Sequence, residues 1–195
     1  LVPHQVESFF PINKNYKTTD TINIGLLGTM AIHKGALKVQ ELLEAIQESG
    51  RQDIRVILIG QVGEDAKNLL SNPFFRQTGE YSVDNLVKLV YENDIDLFFI
   101  SSVWPETFSY TTEEIMQMNM PIASFDIGAP AYRIKRYERG IVISEFSGKC
   151  AFDEIVNYIE KNRLPKQKVL DGKKIVYLLE YKSFSSRYRL EHLQE

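Results

Sequence analysis

The sequence predicts an α/β domain, a doubly wound and mostly parallel sheet, on three observations. Short apolar runs recur along the chain, Ile22 to Leu27, Ile54 to Ile59, Ile95 to Ile100 and Ile122 to Phe125, and their branched and aromatic content suits strands buried on both faces. Segments with apolar residues near helical spacing separate these runs. Two of the runs end directly at a glycine, Gly28 and Gly60, where a strand can turn sharply into its crossover.

Composition sets the outer bounds. The 195 residues are 44% apolar and 25% charged, enough for one globular domain with a real core plus a short flanking segment. The formal charge of −3 and pI near 5.7 argue against a nucleic-acid binder, which would show a basic excess. Cys150 is the single cysteine, so no internal disulfide can form, in keeping with a reducing compartment, and a buried, inert thiol is expected. No apolar run approaches the roughly 20 residues that cross a bilayer. The start lacks the pattern of a signal peptide. Because the chain begins at Leu1, it is expected to be part of a longer protein.

Taken in order, residues 1 to 20 carry two prolines and no periodicity, and are expected to be an incoming linker, with the domain running from 21 to 195. After the strand Ile22–Leu27, a helix is predicted over Lys34 to Ser49, with Leu37, Leu42, Leu43 and Ile46 at its core face and Gly50 as its stop. Strand Ile54–Ile59 follows, then a short helix near Asp65 to Leu70 ended by Asn72 and Pro73. Ser82 is the expected N-cap of a helix over Val83 to Glu92, with Leu86, Leu89 and Val90 as its stripe. Strand Ile95–Ile100 feeds a polar loop, a helix and strand Ile122–Phe125. A helix about Ala131 to Arg139 and a strand Ile141 to Ile143 complete the alternation. Helices are predicted over Phe152 to Asn162 and about Lys173 to Leu193, and the basic residues around them, interspersed with acidic ones, read as a solvated face.

The chemistry concentrates between Trp104 and Asp126. Glu106 follows Pro105 in the loop and Glu114 lies one turn into the next helix, so both carboxylates can face one crevice. A carboxylate accepts two hydrogen bonds from vicinal hydroxyls, as on ribose or a hexose. Thr111 with Glu114 three residues on also matches a capping box, so helix capping competes with ligand binding for Glu114. Phe108, Ser109, Tyr110 and Thr111 precede and open that helix, where backbone N–H groups can meet a diphosphate. Glu113 is expected to face solvent, Trp104 to pack the loop, and Met116, Met118 and Met120 to serve the core.

Lys34 opens the first predicted helix, where positive charge opposes the macrodipole. An anion beside it would explain that position, and an exposed lysine at a frayed end is the alternative. His33 is a candidate general base with no partner carboxylate apparent. Gly25 with Gly28, and Gly60 with Gly63, allow close approach of backbone to a ligand, yet neither pair completes G-x-G-x-x-G, which gives a nicotinamide or flavin site little support. With His4, His33 and His192 scattered, no metal site is expected.

Three blocks in this order resemble the C-terminal, donor-binding domain of the GT-B glycosyltransferases, in particular the retaining enzymes of family 4. LLGTMAIHKG is similar to the family's G-R-L-x-x-x-K-G; VILIGQVG is followed by a GEY turn; PETFSYTTEEIMQMNMPIASFDIGAP matches the E-x7-E signature with its trailing small, proline and glycine positions. The resemblance covers about Ile22 to Ile143 and implies a Rossmann-like domain that is the C-terminal half of a GT-B fold. It implies that Lys34 holds the diphosphate of a nucleotide-sugar donor and that Glu106 contacts hydroxyls of the transferred sugar, which makes these two the catalytic candidates. It further implies that Glu114 binds the ribose, that backbone at Phe108, Ser109 and Tyr110 meets phosphate or sugar, that Gly28 and Thr29 line the same site, and that Gly60 and the segment near Tyr81 lie by the nucleobase.

On the same resemblance the donor needs neither cofactor nor metal, because lysine and helix amides neutralise the leaving diphosphate. One position departs from the pattern: the family's phosphate-binding arginine falls on Thr29, and Arg133 or Lys135 are the candidates to supply its charge. GT-B enzymes carry the acceptor site on an N-terminal domain for which this chain has no room. That domain is the expected partner, and the isolated chain is expected to bind donor without turning it over. The tail KSFSSRYRLEHL resembles the family's closing helix. The implied setting is polysaccharide or glycan synthesis in the cytoplasm, with peripheral membrane association open to the parent protein. A non-catalytic nucleotide-sugar-binding module is the alternative that Thr29 supports, and an ordinary oxidoreductase or epimerase a more distant one.

Overall fold

In the computed structural model, residues 21–162 are described; the expected linker and the helix expected near Lys173 lie outside them. Six strands, β1 (Ile22–Leu27), β2 (Ile54–Ile59), β3 (Phe75–Gln77), β4 (Leu97–Ile100), β5 (Ile122–Phe125) and β6 (Gly140–Ile143), form one sheet in the order β3-β2-β1-β4-β5-β6. Every neighbouring pair is parallel. Between them run α1 (Ala36–Glu48), α2 (Val83–Glu92), α3 (Tyr110–Gln117) and α4 (Gly128–Ile134), and α5 (Gly148–Asn162) follows β6. The expected doubly wound Rossmann-like sheet is the one found.

The two faces of the sheet close differently. Ile22, Ile24 and Leu26 of β1 pack with Val39, Leu42 and Ile46 of α1 and Ile155 and Ile159 of α5. On the other face Ile57, Ile59, Phe98 and Ile122 meet Leu86 and Val90 of α2, Ile115 of α3 and Ile134 of α4. Burying a side chain of this size contributes about 1.5–3 kcal/mol, so the central strands are fixed by two cores at once. Gly25 belongs to this packing: a Cβ there would lie 2.6 Å from Ile95 Cγ2 and 2.8 Å from the Phe98 ring. Its expected role beside a ligand is therefore replaced by a role under the sheet.

Several boundaries move. The first predicted helix starts as a 3-10 turn, Ile32–Lys34, and becomes α-helical only at Ala36, because Gly35 between them adopts φ 90°. β3 is not expected from the sequence: it is a three-residue edge strand with Arg76 and Gln77 exposed, so it shows no apolar run. β4 begins at Leu97 rather than Ile95, and α4 begins at Gly128 and stops at Ile134. The segment Glu64–Ser71 is a 3-10 helix. Ser82 caps α2 as expected, within a capping box whose N3 partner is Asn85. Cys150 is half-buried rather than buried, and its thiol faces Glu154 Oε1 at 3.3 Å.

A sheet in this order reverses direction of growth between β1 and β4. Ligands of such sheets sit outside the carboxyl ends of the strands at that switch. Here the loops at that point are the ones after Leu27 and after Ile100.

Candidate functional site

The loop after β1 is shaped by close backbone approaches. Gly28 N–H donates to Ile59 C=O (2.9 Å), Met30 N–H to Gln61 C=O (2.9 Å), and Gly63 N–H to Met30 C=O (2.8 Å), so the loops after β1 and β2 run together. Gly60 passes so near that a Cβ on it would stand 1.9 Å from the Gly28 carbonyl oxygen. Gly35 passes the loop after β4 in the same way, with its would-be Cβ 1.8 Å from Ser101 O. Ser101 Oγ donates to Lys34 C=O at 2.8 Å. Glycine is required at Gly35 on two counts, its positive φ and this contact.

These approaches leave a cleft of about 90 Å³ between the strand ends. Gly28, Thr29, Lys34, Ser101, Ser102, Glu106 and Thr111 line it over a floor of Leu26, Phe99 and Ile100. Lys34 Nζ and Glu106 Oε1 meet at 2.6 Å. The glutamate is mostly covered, at 16% exposure, while the lysine is 45% exposed. Glu106 is held from behind by α4, where Ala129 N–H donates to its carbonyl (2.9 Å) and Gly128, at φ 65°, leaves no room for a Cβ.

Helix α3 begins one residue before Thr111, and its N-cap is Ser109, whose hydroxyl accepts from Thr112 N–H at 3.4 Å. The expected Thr111–Glu114 capping box is therefore not formed. The N3 residue is Thr112, and Glu114 lies too far along the helix to reach the cap. Its carboxylate is buried at 9% exposure, and Oε2 has no hydrogen-bond partner among the described residues. Burial raises its pKa above the ordinary value, since the charged form loses its hydration without compensation. Tyr81 lies close by, and burial together with the Glu114 charge pushes its phenol up to about 12. Tyr81 is reached from the second loop, because Gly79 N–H donates to Gly60 C=O at 3.1 Å.

The remaining candidates are distributed as follows. Gly28, Thr29, Lys34 and Glu106 line the cleft together, with Thr111 Cγ2 against Gly28. Ser109 is buried and committed to its cap; Phe108 and Tyr110 pack edge to face, with centroids 4.9 Å apart. His33 is exposed beside Lys34 and is not among the residues lining the cleft. Trp104, expected to pack the loop, is 68% exposed. Glu113, expected in solvent, pairs with Arg133 of α4. Lys135, proposed to replace the missing arginine, is held by Asp126 at 2.7 Å. Sequence reasoning missed the Glu113–Arg133 pair and the part of α4 behind Glu106, for which a Gly-x-Pro start to a helix was the one available signal. Among the described residues there is no group of three or more His, Cys, Asp or Glu able to hold a metal, and no helix long and apolar enough to cross a membrane.

A six-stranded parallel sheet with Lys34, Glu106 and Thr111 lining a cleft at its switch point defines a Rossmann-like α/β domain. The chain belongs to the glycosyl transferases group 1 family, whose model matches residues 8–174. No curated protein matches the chain in a sequence search. Solved structures share the fold. The lipopolysaccharide outer core galactosyltransferase WaaB, in its apo form, aligns with TM-score 0.59 at 14% identity over 79% of this chain and 46% of its own. HepE of Anabaena, in complex with UDP-glucose, aligns with TM-score 0.59 at 19% identity over 73% of this chain and 40% of its own. The C-terminal domain of a group 1 glycosyl transferase (LpcC) of Francisella tularensis aligns with TM-score 0.58 at 16% identity over 78% of this chain and 86% of that domain. The chain thus spans less than half the length of the WaaB and HepE structures.

Proposed function

We propose that this domain binds the nucleotide-diphosphate sugar of a glycosyl transfer and works with an N-terminal acceptor domain in its parent protein. The observation that carries this reading is the Lys34–Glu106 pair in the cleft at the switch point. In the reading, Lys34 meets the diphosphate and balances the charge that grows on it as the glycosidic bond breaks. A fixed ammonium in a half-enclosed cleft stabilises such charge more than water does. Glu106, released from the lysine, accepts hydrogen bonds from sugar hydroxyls. Thr111 and the opening backbone of α3 lie against the phosphates, Glu114 takes the ribose diol, and Gly60 with the Tyr81 segment borders the base. No metal has a role in it.

HepE is described with UDP-glucose bound, and WaaB and WaaG are described as lipopolysaccharide enzymes. Both facts support a hexosyl donor and a role in polysaccharide or glycan assembly; the cytoplasm or its membrane face is the setting that goes with this reading. The E-x7-E spacing of Glu106 and Glu114 supports membership of family 4 and transfer with retention. A second reading, a non-catalytic nucleotide-sugar module, is favoured by Thr29. Lys34 is the one cation among the described residues lining the cleft, and Glu106 already engages it.

Calorimetric titration with UDP, GDP, dTDP and ADP, without metal, tests the reading. Saturable binding of one nucleotide, weakened in Lys34→Ala and Glu114→Ala, is expected. Binding that neither substitution weakens would sink it. A full-length protein that binds donor and transfers nothing would favour the second reading.

A further inference from the structure

Arg133 lies outside the cleft, yet it is more enclosed than a surface arginine usually is. Its side chain is 15% exposed, it pairs with Glu113 in the first turn of α3, and its guanidinium lies over the Phe108 ring at 5.5 Å. Both contacts fall on the segment that leads the loop after β4 into α3. Two further contacts from α4 fall on the same loop: Ala129 N–H holds the Glu106 carbonyl, and Gly128 lies against the Glu106 backbone. Four points from one short helix therefore grip the stretch from Glu106 to Glu113. An ion pair between Glu113 and Arg133 alone would need no aromatic contact, and a stability role alone would not concentrate on the stretch bordering the cleft. A planar, always-charged group that can pair through its edge and stack through its face suits both contacts at once.

We propose that Arg133 is a positioning residue that fixes Phe108 to Tyr110 and the start of α3 against the donor, and so sets donor affinity without touching the ligand. The proposal rests on the donor-site reading above. When Arg133 is lost, the segment gains freedom that ligand binding must remove again, and the loss appears in affinity.

The test uses the full chain, with UDP, GDP, ADP and dTDP titrated in turn into the unsubstituted chain and into Arg133→Gln and Arg133→Lys, each at a temperature where it is folded. Arg133→Gln should weaken binding of the preferred nucleotide roughly tenfold, about 1.4 kcal/mol, and should speed amide exchange at Phe108 to Tyr110 in the unliganded protein. Arg133→Lys restores the charge opposite Glu113 and should recover a large part of both effects. Should Arg133→Gln not fold, Glu113→Gln, which leaves the arginine in position, is expected to show the same two changes in weaker form. Unchanged affinity with a lowered Tm would overturn the proposal, since it is the result a purely stabilising contact gives. Failure of the unsubstituted chain to bind any of the four nucleotides would overturn the donor-site reading itself, whereas binding unaffected by these substitutions overturns the positioning role alone.

Discussion

Lys34 Nζ stands 2.6 Å from Glu106 Oε1, so a side chain from the loop after β1 closes on one from the loop after β4 across the switch point of the sheet. The backbone carbonyl of each is held by a hydrogen bond: that of Lys34 accepts from the Ser101 hydroxyl and that of Glu106 from Ala129 N–H. The pair is preorganised, and its two charges balance each other. A diphosphate sugar would exchange that one contact for two, phosphate on the lysine and hydroxyl on the glutamate.

Removing Lys34 should therefore separate stability from binding. A pair with one partner this exposed contributes about 0–1 kcal/mol to folding, so Lys34→Ala should melt within a few degrees of the parent. A charge-assisted hydrogen bond to phosphate is worth about 1.5–3 kcal/mol. Nucleotide-diphosphate affinity should accordingly fall about tenfold to a hundredfold. Calorimetry and a thermal melt on the same samples decide it, and equal affinity in both proteins would remove Lys34 from the site.

Gly35→Ala should do the opposite and damage the fold first. The new Cβ would meet the Ser101 carbonyl oxygen at 1.8 Å, in a residue already at φ 90°. The loops after β1 and β4 would have to part, at a cost of about 2–4 kcal/mol. A guanidinium midpoint shifted well below that of the parent is the expected outcome. An unchanged midpoint would mean that the two loops are not packed as described.

The residues that could and could not be anticipated differ in a physical way. β1, β2, β4 and β5 are legible because a parallel strand buried on both faces must be apolar throughout. β3 is not, since an edge strand with Arg76 and Gln77 exposed carries no such run. The exact start of α3 is open in the sequence because Ser109 and Thr111 are both competent caps. The choice is made by burial of Thr112 and Ser109, a tertiary fact. Glu106 and Glu114 are legible as a spacing and Lys34 as a charge at a helix start, but the pairing of Lys34 with Glu106 in the cleft and the burial of Glu114 apart from it are not. Likewise nothing near Glu113 in sequence announces Arg133, twenty positions on and in another helix.

The capping assignment can be checked directly. Ser109→Ala removes the oxygen that accepts from Thr112 N–H and should cost about 0.5–2 kcal/mol. Thr111→Ala removes no cap and should cost less, while altering the cleft wall beside Gly28. Urea unfolding of the two variants compares them. A larger loss in Thr111→Ala would restore the capping box and return Glu114 to a structural role.

Glu114 makes the sharpest pH prediction. Its pKa is raised in the folded chain by burial, from an ordinary value of 4.5. Well below 4.5 the group is protonated in both folded and unfolded chains and burial carries no charge penalty. As pH rises, the unfolded chain releases its proton first and the folded chain later. Stability is therefore lost through that window and stays lower above it. Glu114→Gln cannot ionise and should escape the loss, melting above the unsubstituted chain at neutral pH, with the difference closing as pH falls toward 4.5. The same substitution replaces an acceptor pair by one acceptor and one donor group, so ribonucleotide affinity should drop several-fold, about 1 kcal/mol or more. A gain in stability combined with a loss of affinity is the signature of a carboxylate retained for a ligand at the expense of the fold. If melts across this pH range show no convergence, Glu114 is already neutralised by a partner. If the variant is stabilised and binds as well as the parent, the carboxylate does not touch the nucleotide.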